Sequence, residues 1–353
     1  MKAIISIDKK IINTLFLNAS FIDNLGLLHG KMGIVIYFFH LARETDNPIY
    51  EDYAGELIDQ ISYEIRIKKP LDFENGLAGI GWGIEYLEQK GFIDTDTNEI
   101  LEKIDARIMQ VLIYNPPHSI GLTSGLAGFG AYLVRRICNS IALEDEISAM
   151  NLKQLTIHLV DEFERCFKVK SKQMFFSPNY FDILSDYSMW LWILVDLFDL
   201  DIYNYKVSNL LQSLVALYEI EELPSNYGNR LILLAAIERV RKCDMQKWID
   251  NPTNLEQCKN QLNEIANPIS MSNIKFSEAE MEINGFDLHH GTSGIILANK
   301  LLHCKSEDDI YYEKKIQWEE LTDDILNKLP NTFFANADLG LLNGVGCNLL
   351  SLQ

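Results

Sequence analysis

Two adjacent histidines, His289 and His290, stand immediately before Gly291. Neighbouring imidazoles of this kind can bind a divalent metal, shuttle a proton or hydrogen-bond a ligand. His29 holds the same place before Gly30. Carboxylates stand close to the same kind of glycine: Asp72 and Glu74 before Gly76, Asp287 before Gly291, and Asp338 before Gly344. Side chains that precede helices also cap them and favour their dipoles, so a purely structural role competes for each carboxylate. Two carboxylates set apart across a cleft would suit glycoside hydrolysis, a reading that rests here on fold-level analogy alone. The six cysteines, Cys138, Cys166, Cys243, Cys258, Cys304 and Cys347, form no Cys-x-x-Cys pair.

These residues share a context, a glycine-containing turn that leads into an apolar helix. It recurs as LLHGKMGIVIYFF, FENGLAGIGWGIEYL, LTSGLAGFGAYLV, LHHGTSGIILANKLL and LLNGVGCNLLSL. The first glycines are Gly30, Gly76, Gly125, Gly291 and Gly344. Gly30 and Gly76 are 46 positions apart, and Gly76 and Gly125 are 49 apart. The longer interval to Gly291 holds two degenerate copies, FDILSDYSMWLWILVDLF from Phe181 and SNYGNRLILLAAI from Ser225, which brings the count to seven.

Segments between the turns carry one apolar stripe, such as Ala54, Leu57, Ile58, Ile61 and Ile65, or Ile100, Leu101, Ile104, Ile108, Val111 and Leu112. Segments after the glycines are apolar nearly all round, as suits helices packed between neighbours. The alternation predicts an all-α, seven-fold (α/α) toroid, a barrel of inner helices wrapped by outer ones. Its turns form a rim at one end. An open solenoid would need polar caps, and the last repeat is apolar almost to Gln353, which favours closure. At about 50 residues per repeat, residues 1–353 form a single domain. Two irregular stretches, 168–179 and 267–287, read as loops within it. Aromatic residues gather from Phe175 to Trp192, namely Phe175, Phe176, Tyr180, Phe181, Tyr187, Trp190 and Trp192; core packing is the simpler account of the cluster, and an apolar groove for a peptide is the alternative.

Composition narrows the function. Fifty acidic against 31 basic side chains give a charge of −19, which disfavours nucleic acid and anionic membranes as partners. No stretch reaches the roughly 18 uninterrupted apolar residues of a membrane span. The opening MKAIISIDKK is too short in its apolar run for a signal peptide, and the cysteines do not form a disulfide framework. A soluble protein of the cytoplasm is expected.

The GLAGIG and GLAGFG repeats, the LHHGTSGI segment and the terminal LLNGVG together resemble the lanthionine synthetase C-like family. The resemblance implies a seven-fold α/α barrel with one zinc at the rim. Active members add a peptide cysteine thiol across a dehydrated Ser or Thr, closing a thioether ring. Zinc supplies the thiolate, and an acid or base handles the enolate proton. The implied partners are a precursor peptide and a dehydratase.

Carried over by position, the family's fifth-repeat cysteine ligand falls on Asn226. Its Cys-His ligand pair falls on His289 and His290, so only His290 is retained. The histidine expected before the fourth-repeat glycine falls on Ser185, with Asp186 in place of that glycine. The aspartate expected before the third-repeat glycine falls on Gly121. Two imidazoles and a carboxamide are a poor zinc set, although Asp287 or Cys347 could add a ligand. The residues therefore leave two readings: an atypical or lapsed thioether cyclase, or a non-catalytic toroid that binds a peptide or a partner enzyme.

Overall fold

The structure is a computed structural model that describes residues 4–65, 70–170, 182–220, 227–242, 287–289, 291–306, 309–328, 339 and 341. Among the described residues, twelve α-helices and one short 3-10 turn make up the regular structure, and no strand occurs. The helices are α1 Ile4–Asn18, α2 Lys31–Thr45, α3 Pro48–Glu64, α4 Leu77–Gln89, α5 Thr97–Tyr114 and α6 Leu126–Ala142. They continue as α7 Glu146–Lys170, α8 Asp186–Asp199, α9 Asn204–Ile220, α10 Tyr227–Arg241, α11 Thr292–Ser306 and α12 Asp309–Lys328.

The two kinds of helix in the sequence become two layers. Helices α2, α4, α6, α8, α10 and α11 pack in that order, each against the next, and form the inner ring. They are buried on most sides: α2 is covered from Lys31 through Ala42. The one-sided helices α3, α5, α7, α9 and α12 pack outside them. In α5 only the stripe Thr97, Leu101, Ile104, Ile108 and Leu112 is buried. Polar caps start these outer helices. Asn47 accepts from the Ile49 amide ahead of Pro48, and Asp96 accepts from the Asn98 and Glu99 amides.

Both degenerate copies proved to be inner helices, α8 and α10. The ring also closes. A side chain built on Gly33 of α2 would stand 2.5 Å from the Leu341 Cγ of the seventh repeat, and α1 packs on α12. The chain is an α/α toroid, as its repeats predict. One boundary differs, because α7 runs on to Lys170 through the first residues of an expected loop. Its Phe163 and Phe167 pack inward, which anchors that last stretch. Tyr187 and Trp190 belong to the core. The Trp190 ring stacks on Phe163 at 3.7 Å, and its Nε1 donates to the Ile120 carbonyl at 2.8 Å. Phe175, Phe176, Tyr180 and Phe181 lie outside the described residues.

Candidate functional site at the rim

The first three rim turns are built alike. In each, the amide of the first helical residue donates to the carbonyl seven positions back: Lys31 to Asn24, Leu77 to Pro70, and Leu126 to Ser119. The next residue repeats the bond to Leu25, Leu71 and Ile120. That loop brings backbone against the N-cap glycine. A Cβ on Gly76 would lie 2.6 Å from Asp72 and Pro70 backbone atoms, and one on Gly125 would lie 2.5 Å from the Ser119 carbonyl.

A side-chain oxygen seeds each turn. Asn24 accepts from the Gly26 amide at 2.8 Å, Asp72 from Asn75 at 2.7 Å, Ser119 from Gly121 at 3.2 Å, and Asp182 from Leu184 at 2.7 Å. Backbone bonds then join neighbouring turns. Leu28 donates to the Glu74 carbonyl, and Phe73 and Glu74 both donate to the Thr123 carbonyl.

The fourth turn departs from the sequential order. Its Ile183 amide donates to the carbonyl of His289, which belongs to the sixth repeat. The side chains agree, since Gly294 packs against Ile183 in the way that Gly128 packs against Phe73. Thus α10 lies between α8 and α11, yet the fourth and sixth turns are bonded directly.

This junction pairs His289 Nε2 with the Asp182 carboxylate at 3.3 Å. Asp182 is buried and the His289 side chain keeps one fifth of its surface exposed. A second pair stands elsewhere on the rim, where His29 Nε2 meets Glu74 Oε1 at 2.8 Å. Beside it the Asn24 amide donates to Asn75 Oδ1. Ser185 and Ser188 share a buried hydroxyl contact at 3.0 Å. The rim therefore offers imidazole–carboxylate pairs, amides and hydroxyls, all fixed by backbone that is itself hydrogen-bonded.

The sequence-predicted residues divide clearly. Ser185 is the N-cap of α8, and Gly121 lies across from it, with a Cβ there only 2.9 Å from Asp186 Oδ1. His289 and His29 are on the rim but in separate pairs. His290, Asn226, Asp338 and Cys347 lie outside the described residues. Sequence reasoning missed Asp182. The signal was present, since Asp182 stands four positions before Asp186 as Asp72 stands four before Gly76.

The donor types decide how well a family-type zinc would fit. Where the resemblance expects thiolates, the sequence has Asn226 and His289, and the His289 Nε2 is engaged by Asp182. Among the described residues no group of three or more His, Cys, Asp or Glu could hold a metal ion. The thiolate-rich zinc centre does not fit these residues.

Comparisons agree with the repeats. Residues 21–164 match the family model described as lanthionine synthetase C-like protein. Among solved structures the chain matches nisin cyclase with a TM-score of 0.65 at 14% identity, covering 98% of this chain and 92% of that one. No curated protein sequence matches.

Proposed function

We propose that the chain is a lanthionine synthetase C-like protein that serves in the modification of a ribosomally made peptide by binding that peptide at the rim. The direct junction of the fourth and sixth turns carries this reading. It commits His289 to Asp182 and, with Ser185 at the N-cap of α8, gives the rim hydrogen-bonding groups where the resemblance expects a thiolate–zinc centre. Peptide backbone and polar side chains are well matched by fixed amides, hydroxyls and imidazole–carboxylate pairs. The implied substrate is a precursor peptide, with a dehydratase acting on the same peptide.

Retained thioether cyclisation is the second reading, and one feature favours it. A carboxylate on one imidazole nitrogen is how proteins orient the other nitrogen toward a metal, so Asp182 could prepare His289 as a ligand beside His290.

One set of measurements separates the two. Purified protein is analysed for zinc, assayed for thioether formation on a dehydrated peptide, and titrated with the same peptide; His290→Ala is treated identically. Peptide binding without thioether formation, and without stoichiometric zinc, is the expected result. Stoichiometric zinc lost in His290→Ala, together with ring closure by the parent protein, would overturn it.

A further inference from the structure

Away from the rim, toward the far ends of the inner helices, basic side chains gather on an aromatic wall. In α2, Phe38 turns outward to Phe16, Tyr50 and Tyr53. Two residues on, about 200° round the helix, His40 turns the other way and its Nε2 meets the Tyr86 hydroxyl at 2.8 Å. Tyr86 stacks on Trp82 with centroids 5.4 Å apart. The Arg135 guanidinium lies over both rings, at 5.1 Å and 5.2 Å. The Lys90 ammonium approaches Tyr86 at 5.8 Å.

What sets these cations apart is what they lack. Arg136, the next residue, is held by Glu85 and Asp105, and Arg239 by Asp196 and Asp199. Among the described residues no carboxylate forms an ion pair with Arg135, Lys90 or Lys300, and the Arg135 Nε is buried without an acceptor. Lys300 comes from α11, where burial, then Lys315 and least of all Lys90 lower its pKa, against Cys304 and Glu319, which raise it. Helix dipoles favour cations in a last turn, and Lys90 caps α4. Arg135 stands seven residues before the end of α6 and Lys300 six before the end of α11, beyond the reach of that effect. Stacking on Trp82 and Tyr86 orients the guanidinium without neutralising it. Arg43 covers Phe92 nearby, but its pocket also holds Asp46 and Glu51, so it is left out of the ligand set.

We propose that Arg135 and Lys90, on the Trp82–Tyr86 platform, bind an oxyanion, either a carboxylate or a phosphate. The assignment stands apart from the role of the rim. A guanidinium with free N–H groups is suited to both anions, and the partial burial of Arg135 shields the contact from solvent.

Calorimetric titration of the full chain with tetraglutamate, and separately with inorganic phosphate, tests this at low and high ionic strength. Binding of at least one probe is expected, weakened by salt and reduced about tenfold in Arg135→Gln. Binding of tetraglutamate alone assigns a carboxylate, and binding of phosphate alone assigns a phosphate. Arg165→Gln, which alters an exposed pair on α7, should leave the affinity unchanged. Should Arg135→Gln fail to fold, Lys90→Gln on the exposed helix end gives the same reading. Failure of both probes to bind, or equal affinity in the parent and the folded variant, overturns the proposal.

Discussion

The Asp182 carboxylate reaches His289 Nε2 across 3.3 Å, although 107 positions separate the two in the chain. The same Asp182 oxygen accepts from the Leu184 amide, so one buried group both shapes the fourth rim turn and fixes the sixth. Asp182→Ala should lose both contacts and cost about 2 kcal/mol. Urea unfolding would read this as a lower midpoint with an unchanged slope, and an unchanged midpoint would remove Asp182 from the junction.

Arg136 of α6 ties two inner helices to an outer one, through Glu85 of α4 and through Asp105 and Asn98 of α5. Arg136 donates to Glu85 at 2.7 Å, to Asp105 at 2.7 Å and to Asn98 at 2.9 Å. Burial pushes the Glu85 pKa up while the guanidinium pulls it back. Arg136→Met strands two carboxylates and should cost about 3–5 kcal/mol, whereas Glu85→Gln combined with it should cost less. A double-mutant cycle on unfolding free energy checks the coupling.

His40 gives the fold a pH dependence. Burial, then the charges of Arg43, Lys90 and Lys300, lower its pKa from 6.5 to about 4. Below pH 6.5 the unfolded chain takes up a proton that the folded chain refuses until about pH 4. Stability from this group is therefore complete above pH 6.5 and falls as pH drops toward 4, by on the order of 3 kcal/mol. Unfolding free energies of the parent chain and His40→Gln, measured from pH 4 to 7, should converge toward acid. Parallel curves would show that His40 is not the titrating group.

Glycine positions divide into two kinds, and substitution separates them. A Cβ on Gly79 would stand 2.0 Å from the Phe73 carbonyl, and one on Gly128 2.4 Å from the Leu122 carbonyl. Backbone cannot yield there, so Gly79→Ala and Gly128→Ala should destabilise strongly. Gly55 lies inside α3 with nothing within 4 Å, and Gly55→Ala should stabilise by up to about 1 kcal/mol. Thermal unfolding of the three variants provides the comparison.

That contrast also explains what the sequence could show. The Gly-x-x-Gly spacing is a local requirement of a turn folded back on its own helix, so it reports the inner helices directly, and the all-round apolar segments report their burial. Closure was readable too, since an apolar last repeat needs a partner, and Leu341 at its start stands against Gly33. The partner of His289 was not readable in this way. Asp287 is its neighbour in sequence, but the contact is made by Asp182, because the fourth turn bonds past the fifth repeat. Spacing within repeats does not encode which turns meet. The cations around Arg135 were hidden for a similar reason: α4, α6 and α11 each contribute one residue, and no segment looks basic.

The rim holds one exchange that can be tested by reversal. Gly121 has no side chain, and the Asp186 carboxylate of the next repeat occupies the space beside it, 2.9 Å from where a Cβ would stand. Asp186 is also the first residue of α8, where a negative charge is favoured by the helix dipole. Gly121→Ala should cost little, because the carboxylate end can swing aside. Gly121→Asp places two carboxylates together and should cost more, through like-charge repulsion. Adding Asp186→Gly should relieve that repulsion, giving a coupling of about 1 kcal/mol in a double-mutant cycle. Strict additivity would mean that the two positions do not share the space. Coupling, in contrast, would show that the third and fourth turns hold room for a single carboxylate, supplied in this chain by Asp186.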